Sequence, residues 1–107
     1  MAALVEEAVS VGDLVRLFTF KQGQANLVEL TLPADSPYVG KRTGDIPLPV
    51  DCALVTILRD GQVYVPTADQ PVEALDELLF VASADQEKAL EKLLTPGTNR
   101  EGRTPAV

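Results

Sequence analysis

The charged residues whose setting suggests chemistry lie in one stretch, Ser36 to Pro66. Lys41 and Arg42 stand together after Gly40, Asp45 follows, and Arg59 ends an apolar run immediately before Asp60-Gly61. Each lies near a turn, beside small and apolar residues. That setting suits holding a ligand better than reacting one. Lys41 and Arg42, at the start of a short helical turn, are placed to meet an anionic ligand; a solvated surface is the plainer reading. Arg59 points to a ligand, reaches across a dimer interface, or simply closes a hairpin. Asp45, Asp51 and Asp60 offer the oxygen donors that hard cations take. They lack the tight spacing of a calcium loop, and capping and turn roles suit them better.

Nothing in the chain supplies a reactive constellation. There is no His, which removes the commonest general base, the usual triad base and the commonest metal ligand. The single cysteine, Cys52, sits in an apolar context and reads as a small core residue rather than a nucleophile. One cysteine also excludes an intrachain disulfide and fits a reducing, cytoplasmic compartment. There is no P-loop, GxGxxG or CxxC motif. The expectation is no enzyme, no catalytic residue, no metal and no cofactor. The net charge of −7 argues against nucleic-acid or anionic-membrane partners, both of which need basic surface. No apolar run approaches the ~18–20 residues of a membrane span. The start, MAALVEEAV, lacks the basic region and long apolar core of a signal peptide.

These residues need a scaffold, and 107 residues with 46% hydrophobic content allow one domain with a modest core. Only 5% are aromatic, so the core is aliphatic. Residues 1–12 read as a helical tail or linker, with Ala2 to Val9 favouring helix. Asp13 to Phe20, DLVRLFTF, is apolar on both sides; it suits a strand covered on both faces or at a subunit contact, or else a short helix. Lys21 to Gln24 is a turn. Asn26 to Leu32 alternates as a strand, ended by Pro33. Tyr38 to Asp45 is one irregular helical turn, weakened by Gly40 and Gly44. Pro47 and Pro49 force an extended crossing over Ile46 to Val50. Ala53 to Leu58 reads as the central strand. Asp60-Gly61 turns it into Gln62 to Pro66, because both turn residues tolerate positive φ. Leu78 to Ala82 is a buried strand. Ser83 to Gln86 matches a capping box opening a final helix. That helix carries Ala89, Leu90, Leu93 and Leu94 on its apolar side and Glu87, Lys88, Glu91 and Lys92 on its wet side. Pro96 and Gly97 stop it, and residues 96–107 read as a disordered tail. The fold expected is α+β: a mostly antiparallel sheet of four or five strands, a short crossover helix and a C-terminal helix.

The order of these motifs resembles a known family. Val28-Glu29-Leu30 is followed by Ser36-Pro37-Tyr38-Val39-Gly40-Lys41, a Pro-containing extended segment, Leu54 to Gly61, Tyr64-Val65-Pro66, then Asp76 before Leu78 to Val81 and a helix. This is similar to the C-terminal regulatory domain of TrkA-type potassium-uptake proteins, the TrkA-C or RCK_C family, over roughly residues 13–94 and with the domain proper at 13–95. The resemblance implies a non-catalytic cytoplasmic domain that dimerises beneath a membrane potassium transporter subunit and senses a small ligand. A sensor for another cation transporter or antiporter is the second reading, and a small enzyme subunit the third. The ligand-binding set it suggests is Lys41, Arg42, Asp45, Ile46, Leu54 and Arg59. The dimer contact it suggests is Val15, Leu17, Phe18 and Phe20, making a homodimer. The ligand class is a nucleotide or a cation. Cyclic-di-AMP fits poorly, because Pro47 and Leu48 stand where its binders carry an Arg. A turn glycine of the family pattern is replaced by Leu75, before Asp76.

Overall fold

The computed structural model describes residues 11–20 and 24–96. The expected helix at Ala2 to Val9, most of the Lys21 to Gln24 turn and the tail from Thr98 lie outside them. Five strands form one sheet: β1 (Leu14–Thr19), β2 (Ala25–Thr31), β3 (Cys52–Arg59), β4 (Gln62–Tyr64) and β5 (Glu77–Ser83). The spatial order is β1-β2-β5-β3-β4, and every neighbouring pair is antiparallel. One helix, α1 (Glu87–Leu94), closes the described fold.

Alternation in β2 and β5 decides where the core lies. Val28, Leu30, Leu78, Phe80 and Ala82 are buried on one face, where Leu90 and Leu94 of α1 pack over them with Leu32, Ile46, Ile57 and Val72. The other face has no element over it among the described residues. Its β2 and β5 residues, Leu27, Glu29, Leu79 and Val81, are half-buried by their strand neighbours alone.

The middle strand is β5, not the Ala53 to Leu58 strand. β5 pairs along its whole length with β2 and along most of it with β3. Its run Leu78 to Ala82 is apolar on both sides, as a middle position requires. β4 is shorter than expected and stops at Tyr64. Pro66 has no N–H to extend a ladder, and β3 bulges where β4 would continue. The Asp60-Gly61 reversal is as expected, with φ of 55° and 79°. Of the expected helical turn only a 3-10 turn at Thr43–Asp45 forms. Gly44 is required there: a Cβ would lie 3.0 Å from both the Ala68 carbonyl oxygen and its Cβ. That approach lets the Gly44 N–H donate to the Ala68 oxygen at 2.9 Å.

Candidate functional site

Two β-bulges shape the open face. In β1, Val15 lies opposite Glu29, but Phe18 lies opposite Leu27, with Leu17 as the extra residue. A bulge residue shifts the alternation by one. Phe18 and Phe20 therefore join Val15 on the open face instead of facing the helix. Their rings meet edge-to-face with centroids 5.2 Å apart. Leu17, Phe18 and Phe20 are 45%, 55% and 39% exposed. β3 does the same: Leu54 faces Phe80 in the core, Thr56 faces Leu79 on the open side, and Val55 is the extra residue. Val55 and Val63 are likewise exposed. The sequence expectation of a β1 apolar on both sides is thus corrected. Leu14 packs against the core, and Val15, Phe18 and Phe20 share the open face because the ladder slips by a residue.

A pair of acids interrupts this apolar face. Glu29 pairs with Leu79, and Glu77 pairs with Thr31, so the two carboxyls are diagonal neighbours on adjacent strands. Burial, then the Glu77 charge and a hydrogen bond with its side chain, pushes the Glu29 carboxyl above its ordinary value.

The basic residues gather at another corner, around the segment 68–73. Arg42 forms an isolated bridge with Pro71, and its guanidinium meets Asp45 at 3.1 Å and Asp69 at 3.7 Å. Arg59 donates to both oxygens of Asp76 at 2.8 Å and to the Pro71 carbonyl at 3.2 Å. Its guanidinium also lies 4.4 Å from the Tyr64 ring centroid and 3.6 Å from Glu73. The Glu73 N–H completes the shell of Asp76, which is 1% exposed. The hydrogen bond to Asp76 is the main reason Arg59 is held above even its usual pKa, so it stays charged. Arg59 is committed inside the fold. Lys41 is exposed and forms no ion pair with any described residue. Asp45 is exposed, Ile46 is buried in the core, and Leu54 packs against the core from β3. The structure therefore groups Lys41, Arg42, Asp45 and Arg59 around the segment 68–73, buries Ile46 in the core, and leaves Leu54 apart from them, five residues along β3 from Arg59 and opposite Phe80.

The family model of the TrkA-C domain matches residues 27–95. The chain belongs to the TrkA-C family. Among curated proteins it is 57% identical over 96 residues to the Trk system potassium uptake protein TrkA of Mycobacterium tuberculosis, covering 90% of this chain and 44% of that protein. The chain thus spans less than half the length of that relative. Among solved structures, the GsuK channel bound to NAD superposes with a TM-score of 0.68 at 21% identity, over 81% of this chain and 16% of that chain. The GsuK RCK domain gives 0.65 at 20% identity, over 76% and 18%. At this identity the likeness establishes the fold.

Several features of this TrkA-C domain escaped the sequence. Glu87 and Glu91 lie on the sheet side of α1, not its wet side. Glu87 accepts from Arg16 at 3.0 Å and from the buried Asn26 amide, and Glu91 accepts from the Leu14 N–H at 3.2 Å. Ala89 is the residue turned outward. The short helix starts at Glu87, one turn later than a cap at Ser83 implies, and that delay rotates the face that meets the sheet. The Ser83 hydroxyl makes no cap bond; its residue ends β5 and leads into a 3-10 turn at Ala84–Gln86. Isolated polar letters such as Asn26 and Glu87 give no signal of their pairing across 61 residues. Cys52, read as a small core residue, is half-buried and packs against the core; burial, then the Asp51 and Glu87 charges, raises its thiol pKa. Two open clefts of about 460 and 470 Å³ flank the top of the sheet, one beside α1 and one around Asp51 to Ala53. Neither is lined by the six residues of the suggested ligand set. No group of acidic or thiol side chains among the described residues is arranged to hold a metal, and no described helix is long and apolar enough to cross a membrane.

Proposed function

We propose that this chain is a non-catalytic regulatory domain of potassium transport that works as a homodimer on the cytoplasmic side of a membrane transporter subunit. The observation that carries this reading is the family membership, with 57% identity to a Trk system potassium uptake protein. The dimer reading rests on the open sheet face, where half-buried Val15 and exposed Leu17, Phe18 and Phe20 collect as one apolar edge. Exposed apolar patches of this kind mark interaction sites.

Ligand sensing is the finer part of the proposal. Lys41, exposed and without an ion pair among the described residues, is the opening of this corner for an anionic group, and Arg42 would join it by leaving Asp45 and Asp69. A nucleotide suits it best, as the likeness to a channel bound to NAD also suggests. Arg59 then acts by bracing the corner through Pro71 rather than by touching the ligand. Regulation follows if the ligand favours one of two arrangements of the dimer.

Two measurements test this. Initial rates of potassium uptake should change in cells whose natural protein lacks residues 13–95; an unchanged rate and ion dependence would overturn the regulatory role. A thermal-shift screen with NAD, ATP and cyclic dinucleotides should give a hit, because a ligand at a hundred times its Kd stabilises the native state by about 2.7 kcal/mol. A hit that survives Lys41→Ala with Arg42→Ala would remove the corner from the site.

A further inference from the structure

The Glu29–Glu77 pair has no role in the reading above, yet it lies inside the face assigned to the dimer. On that face Glu29 is flanked by Val15 of β1 and Leu79 of β5, and Glu77 by Thr31 of β2 and Leu58 of β3. Asp13, exposed just before β1, is acidic as well. Arg16 lies opposite Val28, on the helix side, and is paired with Glu87. Arg59 lies opposite Gln62 and is bound to Asp76. No described base therefore faces the pair from any element that packs against it.

A second copy is the occupant that fits the face. Five strands about 4.8 Å apart and about 20 Å long present roughly 450 Å² in projection. Side-chain relief raises this, so two apposed copies bury about 1,000 Å², the lower bound of a specific interface. In a two-fold contact the same patch meets itself, and the middle strand β5 falls near the axis. Glu29 and Glu77 of one copy would then be buried near those of the other. Four carboxylates without a base would repel one another in a water-poor contact.

We propose that two copies pair through this face with uptake of protons by the Glu29–Glu77 pairs, so that dimerisation strengthens as pH falls. The proton converts one carboxylate of each pair into a donor for the other and removes the like-charge contact. The inference rests on the dimer reading. It adds that the contact is a proton-linked switch, not a permanent joint. The direction of the Glu29 shift in the single chain agrees with it, and burial in the contact pushes the same way.

Sedimentation equilibrium of the full chain between about pH 5.5 and pH 8 tests this. Each proton taken up on association tightens the dimer by up to tenfold per pH unit. The expected result for the wild type is a dissociation constant at least ten times smaller at the lower pH. Glu29→Gln and Glu77→Gln, made singly and together, should give a dimer that is tight at both pH values. Asp35→Asn, an exposed acid on a loop, should keep the wild-type dependence, which separates the pair from the general effect of net charge. A wild-type dimer equally tight at both pH values, or a dependence that survives in the double variant, overturns the proton link and leaves the dimer standing. A monomer at every pH overturns both and assigns the face to another partner.

Discussion

Replacing Asp76 by Ala should cost this small domain a large part of its stability. Asp76 is 1% exposed and accepts three hydrogen bonds at 2.8 Å, two from Arg59 and one from the Glu73 N–H. Arg59, whose side chain is 18% exposed, would be left with the Pro71 carbonyl and the Glu73 carboxylate at 3.6 Å. Breaking a buried pair by removing one partner costs about 3–5 kcal/mol. Glu73 remains as a weak substitute, with a side chain 58% exposed, so the expected loss is at the lower end, about 3 kcal/mol. Set against a total of roughly 5–15 kcal/mol for a domain of this size, that is a substantial fraction. Urea unfolding followed by circular dichroism should show a midpoint lower by about 1–3 M with an unchanged slope. Adding Arg59→Met to Asp76→Ala removes the stranded charge and should recover part of the loss. A single variant within about 1 kcal/mol of wild type, or a double variant less stable than the single one, would refute the idea that Asp76 neutralises a buried Arg59.

Leu75 carries φ of 70° where the family pattern has glycine, and it is 60% exposed. Leu75→Gly should therefore raise stability by about 0.5–1 kcal/mol, visible as a higher Tm, because the strain of a left-handed Leu exceeds the entropic cost of Gly. Gly44→Ala should lower stability by about 1–3 kcal/mol in the same assay, since the new methyl meets the Ala68 carbonyl and Cβ at 3.0 Å. Phe18→Asp should dissociate the dimer in sedimentation while leaving the fold's circular dichroism intact; a wild type that sediments as a monomer at tens of micromolar would sink the contact itself. Glu29 holds its proton more tightly folded than unfolded. Its stabilising contribution is full below its unfolded pKa and is lost as pH rises through the raised folded value. Melting Glu29→Gln beside the wild type, both carrying Phe18→Asp to exclude association, should therefore show the variant gaining most near neutral pH.

Much of the fold is legible in the sequence because its strands alternate cleanly. Val28, Leu30 and Leu32 mark one buried face, and Asp60-Gly61 marks its hairpin without ambiguity. The order of motifs carries the family. Strand order is less legible: β3 reads as central because it is long and followed by a tight turn, whereas the position of β5 depends on pairings made with both β2 and β3. The helix faces are not legible, because a 3-10 turn at Ala84–Gln86 delays α1 to Glu87. The corner around Arg42 and Arg59 is half legible. The basic residues are visible as letters, but the partner that takes two hydrogen bonds from Arg59, Asp76, lies 17 residues away, and spacing alone does not announce it.

The bulges at Leu17 and Val55 act on the sheet as frameshifts act on a message. Before the extra residue the even-numbered positions of each strand face the core, and after it the odd-numbered ones do. Substituting Leu17 changes one side chain, but a ladder without the slip, with Leu17 opposite Leu27, would turn Phe18 and Phe20 toward α1, into space already filled. In this domain the place where the ladder slips decides the faces as much as the residues that β1 and β3 carry. Related chains that keep the surface should tolerate many replacements along these strands and keep both slips.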